Sequence, residues 1–181
     1  MSIEFALKPV AATGWRRGWL VGLAALDVAA AWTIVGLVAV MVAVVSAQVF
    51  MRYALNSSIG WADEVSRLMF VWSIFLAIPL GIKLGAHIGI EMLTARLPAA
   101  AQDALARAVA LVAAALMALI AYEAAVITWD QWDEQMASVS ASAALFILAL
   151  AIGCGHSALH LLWIVLAGKP KADEEIAKEL A

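Results

Sequence analysis

The sequence predicts an all-α integral membrane protein with four transmembrane helices. Of its 181 residues, 66% are hydrophobic and 14% are charged, whereas a soluble domain carries roughly 45–50% apolar and about 25% charged residues. A membrane-spanning helix needs about 20 consecutive apolar residues, and four such stretches occupy most of the chain. We therefore expect a single membrane domain over residues 1–181, with tails at 1–17 and 168–181.

The first two predicted spans cover residues 18–47 and 65–85. A charged start followed by an apolar run resembles a signal peptide, but the apolar region of a signal peptide is only about 7–15 residues long. The first run is much longer, so we predict an uncleaved helix. The second run contains Pro79, which lacks the amide proton that would bond the carbonyl of Phe75, and we expect a kink there.

The third and fourth predicted spans cover residues 104–126 and 143–167, and each contains small residues at every fourth position. This spacing lets helix backbones approach closely, although alanine is also common in membrane helices for no specific reason, and both interpretations stay open. The lone Cys154 excludes an internal disulfide and is expected to behave as a small hydrophobic residue. The small residues are Ala106, Ala110, Ala114 and Ala118 in the third span, and Ala149, Gly153 and Ser157 in the fourth.

A shorter pattern lies between the second and third spans, over residues 87–98. Ile90, Leu93 and Leu97 fall on one helical face there, with charged residues elsewhere. Such a pattern is typical of a short helix that lies in the membrane interface, and we expect one in this connection.

Basic residues predict the orientation, because cytoplasmic segments of membrane proteins are enriched in Lys and Arg. If four helices cross, nine of the eleven basic residues lie on the side of the two termini, and only Arg52 and Arg67 lie on the other. We therefore expect both termini in the cytoplasm. The nine residues are Lys8, Arg16, Arg17, Lys83, Arg96, Arg107, Lys169, Lys171 and Lys178.

The densest polar segment surrounds the first connection. Asp63 and Glu64 fall in the first turn of the second helix, where carboxylates complement the helix dipole. Arg67 follows at spacings that allow an ion pair on the helix surface, and Arg52 ends the first helix nearby. We expect a structural ion-pair cluster here; a rim of solvated charges and a substrate or ion site are the alternatives.

Other ionisable residues interrupt the first and fourth spans. Asp27 is expected at the lipid headgroup level beside Arg16 or Arg17, although an ionisable residue within a span is a candidate functional residue. His156 and His160 are one turn apart, a spacing that can hold a metal ion. Because no carboxylate or cysteine joins them on that helix face, we expect hydrogen bonds within the helix bundle and assign no metal site.

An ordered set of motifs spans residues 48–93. The first helix ends in Arg52 and Tyr53, followed by an asparagine turn at Asn56. The second helix opens with Trp61, Asp63 and Glu64 and continues through Phe70-Val71-Trp72 and Phe75-Leu76. The pair His87-Ile88 and then Glu91 follow this helix. Together these motifs resemble the signature of the small membrane subunit of tripartite ATP-independent periplasmic (TRAP) transporters. The sequence departs from that signature at Ala77, Gly89 and Glu91, where the family more often has glycine, arginine and aspartate.

The resemblance implies a DctQ-like subunit of a bacterial inner-membrane transporter rather than an enzyme. In such a transporter, a periplasmic binding protein captures an organic acid, a large membrane subunit moves it with sodium, and the small subunit supports the large one. The expected partners are these two proteins and membrane lipids, with no cofactor and no nucleic acid. The residues that we assign to folding or assembly, called here the assembly cluster, are Arg52, Tyr53, Asn56, Trp61, Asp63, Glu64, Arg67, Trp72 and His87.

Two other functions remain as alternatives from the sequence. Four-helix membrane cytochromes hold haem between histidines on facing helices, and the available ligands here are His87, His156 and His160. The second alternative is an independent small channel or transporter.

Overall fold

Four helices form the part of the chain that the computed structural model describes, residues 14–83 and 98–167. Each helix is long and apolar enough to cross a membrane, which confirms the predicted all-α fold with four spans. The first and third helices extend beyond their predicted apolar runs at both ends because the residues that flank those runs are also helical, whereas the fourth begins two residues after its predicted start. The interfacial helix expected before Pro98 falls on residues outside the described ranges. The four helices are α1 (Trp15–Ala54), α2 (Ala62–Lys83), α3 (Ala99–Asp130) and α4 (Leu145–Ala167).

The helices pack in the spatial order α1, α2, α4, α3. Helix α4 contacts both α2 and α3, α2 also contacts α1, and α1 touches α4 only slightly. Accordingly, α4 has the largest share of buried residues in its apolar stretch, whereas α1 and α3 bury few. The outer surfaces of α1 and α3 are therefore apolar and available to lipid or to other helices.

A small apolar core lies where three helices meet. Ile82 of α2, Ala114 of α3 and Leu161 of α4 are buried together. Ala110, one turn before Ala114, is also buried, but Ala118, one turn after it, is exposed. A step of four residues rotates by about 40° around a helix with 3.6 residues per turn, so the row of alanines leaves the packed face.

Helices α2 and α4 approach each other closely at Gly153. A Cβ atom at Gly153 would lie 2.5 Å from the carbonyl oxygen of Phe75. Ala149 and Ser157, one turn to either side, are fully buried, so the small-residue row of α4 is a packing surface. Helix α2 continues through Pro79, which has no N–H for the Phe75 carbonyl, and a residue without a side chain is what lets α4 pack against that carbonyl.

Two connections lie at the same end of the bundle, called here the loop end. The first, residues 55–61, begins with Asn56 in the left-handed region at φ 49°, which lets the Ser57 N–H donate to the Met51 carbonyl over 3.1 Å. The second, residues 131–144, folds back on itself through an isolated antiparallel bridge between Gln135 and Ser142.

Candidate functional site

A buried group of ionisable side chains joins α1, α2 and α4 at the end opposite the loop end. We call it the Asp27 cluster: Asp27, Lys83, His156 and His160. The Asp27 Oδ1 atom lies 3.1 Å from Nε2 of His156 and 2.7 Å from Nε2 of His160. The Lys83 ammonium donates to the other oxygen, Oδ2, over 2.8 Å. The Asp27 side chain is only 2% exposed, so its charge is met by protein groups rather than by water.

The antiparallel course of the chain explains why these four residues meet. Asp27 lies in the N-terminal half of α1, whereas Lys83 is the last residue of α2. His156 is the central residue of α4, and His160 lies one turn closer to the C-terminal end of that helix, with ring centroids separated by 5.0 Å. Since α2 and α4 both run opposite to α1, their C-terminal halves reach the depth of the N-terminal half of α1.

The expectation that Asp27 lies beside Arg16 or Arg17 is wrong. Ten or eleven residues separate them along α1, which corresponds to roughly 15 Å or more at 1.5 Å per residue. Both arginines are exposed at the start of the helix, and Asp27 is buried. A carboxylate buried within a membrane span needs polar partners close to it, and the side chains of Lys83, His156 and His160 supply them.

The histidines make hydrogen bonds within the bundle, as the sequence predicted, but their partner was missed. The helix face that carries His156 and His160 contains no carboxylate, because Asp27 comes from a different helix. The signal that could have found it is depth: all these residues lie in the same half of the membrane in the predicted topology. In this position Asp27, His156 and His160 also present three potential metal-ligand atoms within 4.8 Å of one another.

At the loop end, Glu64 holds the connection between α3 and α4. Its carboxylate accepts hydrogen bonds from the backbone N–H groups of Ala137, over 2.9 Å, and Ser138, over 2.7 Å. The Ser138 hydroxyl donates to the same carboxylate. Hydrogen bonds to an ionised acceptor are stronger than neutral ones, so this single side chain anchors two successive residues of the connection to α2.

The neighbouring carboxylate joins the first two helices. Asp63 Oδ1 accepts a hydrogen bond of 2.9 Å from the side-chain amide of Gln48, a buried residue of α1. The indole N–H of Trp72 donates to the backbone carbonyl of Leu145 over 3.0 Å, which connects α2 to the start of α4. Three side chains of α2, those of Asp63, Glu64 and Trp72, therefore link this helix to different parts of the chain.

The ion pairs expected with arginine are not formed among the described residues. Arg52 and Arg67 are exposed, and the carboxylates of Asp63 and Glu64 bond to other groups. The physical reason is competition: an exposed ion pair contributes only about 0–1 kcal/mol, whereas backbone N–H groups of a connection require acceptors.

The other members of the assembly cluster lie on the surface of the loop end or outside the described ranges. Tyr53 is 83% exposed and Trp61 is 47% exposed, and Asn56 forms the turn. His87 lies outside the residues that the structure describes. The structure thus brings Asp63, Glu64 and Trp72 into contacts within the chain, and it leaves the exposed arginines and aromatic residues facing outward.

The two described histidines do not form the pair that a haem group requires. His156 and His160 lie on the same helix, and both ring Nε2 atoms contact Asp27. Haem-binding bundles use histidines on facing helices. No facing pair occurs in residues 14–83 and 98–167, and no observation there favours the cytochrome alternative.

Comparison with known proteins points to one family. The family described as "Tripartite ATP-independent periplasmic transporters, DctQ component" matches residues 41–168. A Vibrio cholerae protein named "C4-dicarboxylate TRAP transporter small permease protein DctQ" is 34% identical over 86 residues, covering 48% of this chain and 35% of that protein. A Haemophilus influenzae protein named "Putative TRAP transporter small permease protein" is 33% identical over 64 residues, covering 35% of this chain and 40% of that protein. The matched segments thus span less than half of either relative.

Proposed function

Because this chain belongs to the DctQ component family of TRAP transporters, we propose that it acts as a scaffold for the large membrane subunit of such a transporter. The resemblance predicted from residues 48–93 is thus confirmed as a family assignment, and the chain is a multi-pass protein of the bacterial inner membrane. In this role the chain supports the large subunit while that subunit takes up an organic acid with sodium.

The observation that carries the scaffold role is the distribution of burial among the helices. Helices α1 and α3 bury few residues within the chain, and large apolar side chains such as Trp32 and Leu119 are exposed along them. Membrane helices associate through close packing and polar contacts, so these surfaces suit contact with another polytopic subunit as well as with lipid.

The continuous helices also support a role other than substrate carrier. Transporter sites at the bilayer midplane are typically built from interrupted helices. Within the described residues, α1 through α4 each run without a break from end to end. We therefore propose that the substrate passes through the large subunit, with no enzymatic step in this chain.

The proposed substrate is an organic acid delivered by a periplasmic binding protein. The name of the Vibrio relative refers to C4-dicarboxylates, which belong to that class. In the proposed orientation both termini are cytoplasmic, as the basic residues predict, so the loop end faces the periplasm. The exposed residues there, Arg52, Tyr53, Trp61 and Arg67, are then available to the large subunit or to the docking binding protein.

Orientation is tested by cysteine labelling from outside the cell. In a Cys154→Ser background, a cysteine at Gln135 should react with a membrane-impermeant thiol reagent, whereas a cysteine at Ala172 should react only after the membrane is permeabilised. Labelling of position 172 in intact cells would reverse the proposed topology.

Assembly is tested by copurification from the native membrane in mild detergent. We expect a tagged chain to retain a large polytopic protein, and we expect Arg52→Ala and Arg67→Ala to weaken that retention while the melting temperature of the isolated chain stays unchanged. Arg107→Ala is the matched control, because Arg107 is an exposed arginine in the half of α3 away from the loop end, paired with Asp103. Absence of any large polytopic partner would refute the scaffold role, and equal loss with all three variants would refute the loop-end contact.

A further inference from the structure

We propose that Asp27, His156 and His160 form a binding site for a divalent transition-metal ion such as Zn²⁺, a property separate from the proposed scaffold role. The three side chains are buried in the bundle, and each offers one ligand atom within 4.8 Å of the others. Buried ionisable residues in a membrane span are candidate functional residues, and this set has the composition of a metal site.

The donor atoms suit Zn²⁺. Two imidazole nitrogens and one carboxylate oxygen are ligands that Zn²⁺ binds, and sites with three protein ligands keep a fourth position for water. His156 and His160 are one turn apart, so both imidazoles project from the same face of α4. Asp27 completes the set from α1, which means that a bound ion would connect two helices that otherwise touch only slightly.

The distances require only a small adjustment. Zn²⁺ lies about 2.0–2.1 Å from its ligands, which places tetrahedral donor atoms about 3.3 Å apart. Asp27 Oδ1 now lies 3.1 Å and 2.7 Å from the two Nε2 atoms. The two oxygen–nitrogen distances therefore have to lengthen by roughly 0.2 and 0.6 Å to reach that separation.

Metal binding also has a defined proton balance. In the metal-free protein, a neutral imidazole that bonds the Asp27 carboxylate donates its Nε2 proton to Oδ1. To bind the ion, Nε2 needs its lone pair, so the proton moves to Nδ1 of the same ring. For an imidazole that is neutral to begin with, this shift releases no proton, and Asp27 exchanges two hydrogen bonds for one metal–oxygen bond.

Lys83 has two opposing effects on this site. Its ammonium donates to Oδ2 of Asp27, and such an outer hydrogen bond orients a ligating carboxylate. The same ammonium is a positive charge close to the incoming cation. Lys83 and the ion would be held by the same carboxylate, and in a partly dehydrated site the repulsion between two such close cations exceeds the contribution of one hydrogen bond. Removing the charge of Lys83 should therefore tighten metal binding.

The test uses the full chain in detergent, without a polyhistidine tag and after treatment with a chelator. Titration calorimetry with ZnCl₂ should show one ion per chain. His156→Gln and His160→Gln should each weaken binding by at least about 100-fold, since even an outer-shell change typically costs 10–100-fold. Lys83→Met should tighten binding by roughly tenfold or more, which a purely structural hydrogen-bond network does not predict.

The remaining histidine of the sequence provides the matched control, and His87→Gln should bind Zn²⁺ like the unmodified chain. The visible absorption of bound Co²⁺ gives a second readout, because four-coordinate Co²⁺ absorbs much more strongly than six-coordinate Co²⁺. Circular dichroism identifies any histidine variant that fails to fold. If a histidine variant does not fold, the Zn²⁺ affinity of the Lys83→Met chain decides whether the site exists. The proposal is overturned if Zn²⁺ does not bind, if both histidine variants bind it normally, or if a folded Lys83→Met chain binds it more weakly.

Discussion

Substituting Gly153 by alanine should destabilise the bundle at the contact between α2 and α4. The added Cβ would lie 2.5 Å from the Phe75 carbonyl oxygen and 2.9 Å from the Phe75 carbonyl carbon. Ordinary van der Waals contact begins near 3.4 Å, so the helices would have to separate by about 1 Å at this point. The obstacle is backbone, which cannot rotate away, and overpacking of this kind typically costs about 1–3 kcal/mol.

Gly155→Ala is the matched control, because a Cβ at Gly155 meets nothing within 4 Å. Alanine favours a helix interior over glycine by up to about 1 kcal/mol, so Gly155→Ala should be neutral or slightly stabilising. The two variants change the same residue type on the same helix, two positions apart. Their difference therefore isolates the close approach to Phe75 from the effect of helix propensity.

The measurement is thermal unfolding of the purified chain in detergent, followed by the fluorescence of its eight tryptophans. Gly153→Ala should melt several degrees below the unmodified chain, and Gly155→Ala should melt at or above it. Equal melting temperatures for the two variants would refute the reasoning, because they would show that α2 and α4 do not approach closely at Gly153.

Three further substitutions test the polar contacts by the same melting assay. Asp27→Asn should destabilise the folded chain by about 3 kcal/mol, the lower end of the range for breaking a buried ion pair, because the lysine partner of Asp27 is partly exposed. Asp103→Asn, at an exposed ion pair, should cost only about 0–1 kcal/mol. Equal losses of stability would contradict the burial of Asp27. Glu64→Ala should lower the melting temperature and speed proteolysis of the connection between α3 and α4, whereas Glu123→Ala, at an exposed residue, should do neither. Identical cleavage rates for the two variants would show that Glu64 does not anchor this connection. Asn56→Gly should be tolerated and Asn56→Val should cost roughly 1–2 kcal/mol, since only the latter opposes a left-handed backbone; similar melting of both would exclude that conformation.

The fold could be predicted from the sequence because lipid leaves the backbone few choices. Every N–H and C=O group in the hydrocarbon must be satisfied within the chain, so a long apolar run becomes a helix. The ends of the helices were less predictable. The apolar run of α1 ends near Ala47, but the helix continues to Ala54, because polar residues at the membrane surface retain helical hydrogen bonds.

The contacts of the polar residues were predicted less well, since spacing rules describe only neighbours on one helix. Arg67 is three and four residues from the two carboxylates of α2, yet Glu64 bonds residues 73 and 74 positions away. Asp27 was assigned to the nearest basic residues in sequence and instead meets side chains 56 to 133 positions away. Such partners depend on helix order and depth, which a list of apolar runs does not contain.

The two sets of polar contacts have different physical roles from the apolar packing around them. Between membrane helices, apolar contact is hardly more favourable than contact with lipid, so it selects partners weakly unless the surfaces fit closely. The Asp27 cluster and the Glu64 contacts are directional, and they lie at opposite ends of the bundle. Together they restrict both the sliding and the rotation of α2 against its neighbours. With the internal arrangement held in this way, the outer surfaces of α1 and α3 are free to be apolar along their length, as the proposed contact with a larger membrane subunit requires.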